Sequence, residues 1–393
     1  MTANDRSIVG LVMVAHAMVH TYELSIPIFM TIWLTEFEVS TAVLGVASMT
    51  GYALYGIGAL PSGVLVDRLG SRHLIAACLA GMGGAFVLLS FAQTVWTVTL
   101  ALVAWGAAAS IYHPAGLSLI STGVEKRGYA FALHGMAGNT GIAAGPLVTA
   151  LLLLVLDWQW VAALFRSDAS ALPSRRETRS PSELWRTSQT LFAGSFAVVF
   201  AIVMLSGLYY RGVLTFLPDL LTPLVTLDLP VDLDAGRYVY AGLLMVGIGG
   251  QYVGGRLTDR MQTESALVRA FGLLAMVALL FLPLAQYGTG ALLAVSAMLG
   301  FLLFLVQPLY QATVAEHTPP EARGLSYGFT YLGVFGIGAL GAALAGVVLT
   351  YASEAVLFYV LAGLALVAAA CSAWLASMTR TMPAKHDASD TPA

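Results

Sequence analysis

Three ionisable side chains near the start of the chain, His16, His20 and Glu23, stand four and three residues apart. At about 100° per helical residue they fall within about 60° of one face. Two imidazoles and a carboxyl sharing one side of a helix can pass a proton among themselves or bind a polar ligand. The same set can equally be a static hydrogen-bonded knot between helices. It also has helical metal-ligand spacing, but no fourth ligand stands nearby and no water-activating acid accompanies it, so no metal site is expected. Arg211 is a basic residue inside an otherwise apolar stretch of the second half. A guanidinium there can grip an anion bidentately or hold Glu23 charged, unless it snorkels to a membrane surface. His113, followed by Pro114, is read either as a ligand for substrate or proton or as a structural histidine, and His134 as structural.

The elements that carry these groups follow from composition. The 393 residues are 58% hydrophobic and 10% charged, with a net charge of −3 and a mean hydropathy of +0.82. A soluble domain carries about 25% charged residues, so a soluble enzyme and a nucleic-acid binder are excluded. Two cysteines, Cys78 and Cys371, do not make a disulfide scaffold. The expected fold is an all-α polytopic membrane protein, its partners a small-molecule substrate and the lipid bilayer, with no nucleic acid and no obligate protein partner.

A helix needs about 20 apolar residues to cross about 30 Å of hydrocarbon. Candidate spans are 8–34, 42–66, 73–92, 95–121, 128–155 and a short piece near 156–166, then 190–217, 238–257, 266–286, 290–314, 324–351 and 355–377. The organisation expected is an N-terminal six-helix bundle (1–165), a cytoplasmic linker (166–189), a C-terminal six-helix bundle (190–377) and a polar, disordered tail (378–393). With twelve crossings and both termini cytoplasmic, 16 of the 18 Lys and Arg gather on one side, as the positive-inside rule asks. Helix 6 is the weak member, short or partly missing, because Asp157 interrupts the 15 residues from Leu151 to Phe165. Trp33, Trp96, Trp158, Trp160 and Trp374 fall near span ends and are expected as interface anchors. Glu23 lies about 22 Å into helix 1, a depth at which an ionisable group belongs on a central cavity.

The chain repeats itself. Gly63-Val-Leu-Val-Asp67-Arg68 recurs 192 residues later as Gly255-Arg-Leu-Thr-Asp259-Arg260, and His113-Pro114 has its counterpart in Gln307-Pro308. Arg211 corresponds to His20 at an offset of 191, so the two are expected to face each other across the cavity. Two six-helix halves in the same orientation are a parallel transporter repeat. By repeat position Gln307 and Tyr310 join the candidate cavity residues, with Asn139 from helix 5 beside them. Gly138, Gly141 and Gly145 of helix 5 let another helix approach closely.

The stretch Gly63–Arg72 resembles the signature between helices 2 and 3 of the major facilitator superfamily. His16 with Pro27, Tyr112-His113-Pro114-Ala115-Gly116, and Gly138-Asn139-Thr140-Gly141 continuing to Gly145-Pro146 are similar to the fosmidomycin-resistance branch of its drug exporters. The last piece also resembles the antiporter signature of helix 5, a tight, Pro-bent contact that the resemblance associates with leak-free export. That branch usually has an acidic residue where this chain has His20. The resemblance implies a gate latch at Asp67, Arg68 and Arg72, repeated by Asp259 and Arg260, where carboxylate and guanidinium pair in one state and part in the other. Plain positive-inside anchoring is the alternative for the arginines.

The expected function is secondary active transport of a small organic compound across the cell membrane by alternating access, as proton-coupled antiport. Protons would enter at Glu23 with His16 and His20 assisting. The proton gradient would be the driving force, without cofactor, since no ATP-binding loop is present. The nearest alternative is a proton-coupled symporter importing a sugar or organic anion. An intramembrane metal-binding enzyme and a non-transporting relic are the remaining readings.

Overall fold

The computed structural model describes residues 2–125, 127–165, 181–225, 234–319 and 323–381, and these are all-helical. Much of the predicted linker (166–180) and tail (382–393) lies outside the described residues. The first half runs through α1 (Ala3–Glu36), α2 (Thr41–Ile57), α3 (Ala59–Leu69), α4 (Ser71–Ser90), α5 (Val95–Ala109), α6 (Tyr112–Gly123), α7 (Arg127–Leu152) and α8 (Trp158–Leu164). The second holds α9 (Pro181–Phe192), α10 (Phe196–Leu214), α11 (Leu217–Leu221), α12 (Ala235–Thr258), α13 (Thr263–Ala285), α14 (Thr289–Glu316), α15 (Arg323–Tyr331), α16 (Leu340–Tyr351) and α17 (Glu354–Thr381). A π-helical turn at Leu332–Ile337 separates α15 from α16. Among the described residues nine helices are long and apolar enough to cross a membrane, with α2–α3, α5–α6 and α15–α16 each counted as one span. The 26-residue α7 and the 24-residue α12 are long enough but less apolar.

The breaks have local causes. Proline removes the hydrogen bond to the carbonyl four residues earlier. Pro114 thereby frees Ser110, where α5 gives way to α6. The α2–α3 break at Gly58 lies against Ser110, leaving no room for a β-carbon. Pro308, the repeat partner of Pro114, does not interrupt α14.

Helix 6 is the seven-residue α8, about 10 Å long. Trp158 begins it beside Trp33, with ring centroids 5.7 Å apart, and its indole N–H donates to Glu36 at 2.6 Å. Its last turn ends at Phe165, whose carbonyl accepts a hydrogen bond from the Tyr22 hydroxyl. The element thus spans only the levels of α1 between Glu36 and Tyr22, and a side chain satisfies the backbone carbonyl where it stops. Trp33 and Trp158 are buried in this contact rather than standing as interface anchors, whereas Trp96, Trp160 and Trp374 are exposed.

Packing against α1 explains why α7 is rich in glycine. A β-carbon on Gly138 would lie 2.7 Å from His16 Nδ1, and one on Gly145 2.7 Å from the Thr21 Cα. One on Gly141 would strike the Ala17 carbonyl. Pro146 lies inside α7 without ending it.

Between the halves, the hydrogen bonds among the described residues gather at mid-depth and at one end. At that end Thr41 Oγ1 lies 2.8 Å from Thr350 Oγ1 and donates to the Gly346 carbonyl at 3.0 Å. Nearby, Arg237 donates to Thr31 Oγ1 at 2.7 Å and pairs with Asp234 at 2.7 Å.

Candidate transport site

At mid-depth α1 turns His16, His20 and Glu23 toward α2, α6, α7 and α10, and all three are buried. His16 Nδ1 donates to the His134 carbonyl at 2.7 Å. The Nε2 atoms of His16 and His20 are 3.0 Å apart, and His20 Nδ1 lies 2.6 Å from Glu23 Oε2. The other carboxylate oxygen of Glu23 accepts from Arg211 of α10, which crosses the seam between the halves. Arg211 is 2% exposed and Glu23 1%, so the guanidinium does not snorkel to an interface. Its Cζ sits 3.7 Å over the ring of Tyr52, with Tyr210 and Phe335 at 5.4 and 5.7 Å, a placement that favours a cation.

Hydrogens in this chain can be counted. Three hydrogen bonds in series, from the His134 carbonyl to Glu23, need three hydrogens. Two neutral imidazoles supply two of them and an ionised carboxylate none. All three contacts can be hydrogen bonds at once only if the chain carries one proton more than two neutral imidazoles supply.

His113 lies beside this chain. Its Nε2 meets the Tyr55 hydroxyl at 2.8 Å, and its ring stacks on Tyr331 at 4.5 Å. One ring nitrogen each of His16, His20 and His113 lies within 4.8 Å of the other two. His134 stacks on His16 with centroids 3.8 Å apart. The aromatic wall of Tyr52, Tyr55, Tyr331 and Phe335 was not foreseen from sequence. Its signal was available in tyrosines three apart on helix 2 and aromatics four apart next to the π-turn.

Among the described residues, the other expected site residues are not hydrogen-bonded to this cluster. Tyr310 is buried and Gln307 and Asn139 are half-buried. In the expected latch, Arg68, Asp259 and Arg260 are exposed, without an ion pair among the described residues. Arg72 donates to Asn4 at 3.3 Å, and the side chain of Asp67 lies outside the described residues.

The family model of the Major Facilitator Superfamily matches residues 9–342. The chain belongs to that superfamily. It is a multi-pass membrane transporter and not an enzyme. It is 31% identical over 186 residues to an uncharacterised MFS-type transporter of Mycobacterium tuberculosis, covering 41% of this chain and 43% of that one. Puromycin resistance protein pur8 of Streptomyces alboniger is 33% identical over 165 residues, 39% of this chain and 33% of the relative. These alignments span less than half the length of both relatives. Multidrug resistance protein MdtH of Yersinia pestis is 24% identical over 296 residues, 71% of each chain. Among solved structures, the nucleoside transporter NupG superposes with a TM-score of 0.75 at 14% identity, covering 93% of this chain and 98% of that one. A bacterial homologue of the human lysosomal transporter Spinster, inward-facing and occupied, gives 0.73 at 14%, covering 98% and 100%. At such identities these two show the shared fold.

Proposed function

We propose that this superfamily member exports a small organic compound in exchange for protons. It would sit in the cell membrane with twelve crossings, helix 6 incomplete, and both termini cytoplasmic. The observation that carries the reading is the chain from His16 through His20 and Glu23 to Arg211, which joins a proton-holding group to the opposite half. Arg211 holds Glu23 while the carboxylate is charged. Moving the shared proton onto Glu23 neutralises that carboxylate, loosens its hold on Arg211 and lets the halves rock apart at this depth. Relatives named for puromycin and multidrug resistance, and the likeness to the fosmidomycin-resistance branch, support the outward direction. Asp67, Arg68, Arg72, Asp259 and Arg260 serve in this reading as the latch of the opposite rocking state.

A second reading, proton-coupled import of an organic anion, has one observation in its favour. Arg211 Nε is buried without a hydrogen-bond partner, so part of the guanidinium fork is available to an anion.

Proteoliposomes carrying a trapped pH-sensitive dye test both. Wild type should move protons when a transported compound is added from a panel that includes puromycin and small organic anions. Glu23→Gln should lose that flux by at least about tenfold. Full flux in Glu23→Gln refutes the role given to Glu23, and flux with anions alone favours the second reading.

A further inference from the structure

We propose that His16, His20 and His113 form a binding site for a divalent transition-metal ion of the Zn²⁺ type. One nitrogen of each ring already lies within 4.8 Å of the others, and all three rings are buried. The far side of each ring separates this cluster from a chance gathering of histidines. An imidazole on a metal gives one nitrogen to the ion and donates its other N–H to a fixed acceptor, which sets the tautomer and raises the ligand's basicity. His16 has that acceptor in the His134 carbonyl at 2.7 Å. His20 has it in the Glu23 carboxylate at 2.6 Å, and His113 in the Tyr55 hydroxyl at 2.8 Å.

With those bonds made, the lone pairs left are on Nε2 of His16, Nε2 of His20 and Nδ1 of His113. The first two are 3.0 Å apart, close to the roughly 3.3–3.4 Å between two nitrogens on one tetrahedral zinc with Zn–N bonds of about 2.0–2.1 Å. The third is buried and has no hydrogen-bond partner among the described residues, which is costly for a polar atom unless a ligand satisfies it. Three neutral imidazoles with no hard oxygen ligand suit Zn²⁺, Co²⁺, Ni²⁺ or Cu²⁺ over Mg²⁺ or Ca²⁺. Any hydrogen shared by the two Nε2 atoms must leave to solvent for both to ligate, so the ion takes its place. A fourth position falls to water or a bound compound. Glu23 is then a partner of the ligand His20 and not itself a ligand. The ion competes with the proton that the transport reading places on this chain, but the test reads binding alone, so a failure here is distinguishable from a failure of that reading.

Tag-free full-length protein in detergent is titrated with Co²⁺ and then with Zn²⁺. The expected result is one Co²⁺ per chain with the intense visible bands of a low-coordinate imidazole site, erased by one equivalent of Zn²⁺. His113→Asn should abolish the bands. Tyr55→Phe removes only the hydroxyl behind His113 and should weaken Zn²⁺ binding about 10–100-fold while keeping the bands. His73→Asn, on α4, should change neither. Absence of bands in the wild type overturns the proposal, and so do bands that persist in His113→Asn. Should His113→Asn not fold, Tyr55→Phe decides: unchanged Zn²⁺ affinity there overturns the site.

Discussion

Asp219 shows how one side chain at the membrane edge reports the folded state. It is half-buried on α11, just beyond a membrane span. Burial first, then the neighbouring charges of Asp234 and Glu354, raise its carboxyl above the ordinary aspartate value. The folded chain therefore takes up this proton at higher pH than the unfolded chain, and stability falls as pH rises through that window. Asp219→Asn removes the penalty. The variant should unfold at a higher temperature than wild type at pH 7, with the gain shrinking as pH falls toward about 3.9 and below. A midpoint at pH 7 equal to or below that of wild type would refute this. Legibility at this scale followed from geometry within one helix. His16, His20 and Glu23 share a face because their spacing is helical, and the repeat offset pointed to Arg211. The His134 carbonyl, Tyr52 and Tyr55 were not legible, because they meet the cluster from other helices and no periodicity links them to it.

Among the elements, α7 and α1 show what glycine does where burial alone gives little drive for helices to associate. In a bilayer, close packing between helices has to supply that drive, and Gly138, Gly141 and Gly145 bring the α7 backbone onto His16, Ala17 and Thr21. The same approach brings the His134 carbonyl to His16, so the packing also fixes the tautomer of the first histidine in the series that ends at Glu23. Gly141→Ala would press a methyl group on the Ala17 carbonyl. It should destabilise the protein by about 1–3 kcal/mol, read as a lower thermal midpoint in detergent. Gly135→Ala, with nothing within 4 Å of the added carbon, is the control. Equal midpoints for the two would refute the packing argument. The small-residue pattern made this contact legible. The burial of Trp33 and Trp158 was not, because an anchor and a buried tryptophan look alike near a span end. What distinguishes them is the shortness of α8, which leaves Trp158 to cap Glu36 and close over Trp33.

On the scale of the whole molecule, the two halves are joined by hydrogen bonds at one end and by the Glu23–Arg211 pair at mid-depth. At the joined end, Thr41 and the amide of Ala42 on α2 meet Thr350 on α16, with the two hydroxyl oxygens 2.8 Å apart. Beside them Gly45 lies 3.2 Å, as measured from a notional β-carbon, from the Gly346 Cα. In the proposed rocking cycle these helices part when this end opens, which would assign the hydroxyl contact to one of the two rocking states. Replacing both threonines by cysteine places two thiols where a disulfide of about 2.05 Å needs little backbone movement. Of the native cysteines, Cys78 is buried and Cys371 half-buried, so Cys371→Ser leaves a background without an accessible thiol. In that background Thr41→Cys/Thr350→Cys should cross-link on mild oxidation. Substrate-dependent proton flux should then fall by at least about tenfold and return on reduction, while either single variant keeps its flux. Cross-linked protein that still cycles at the wild-type rate would mean that this end does not open during transport, and rocking of the two halves would have to be abandoned.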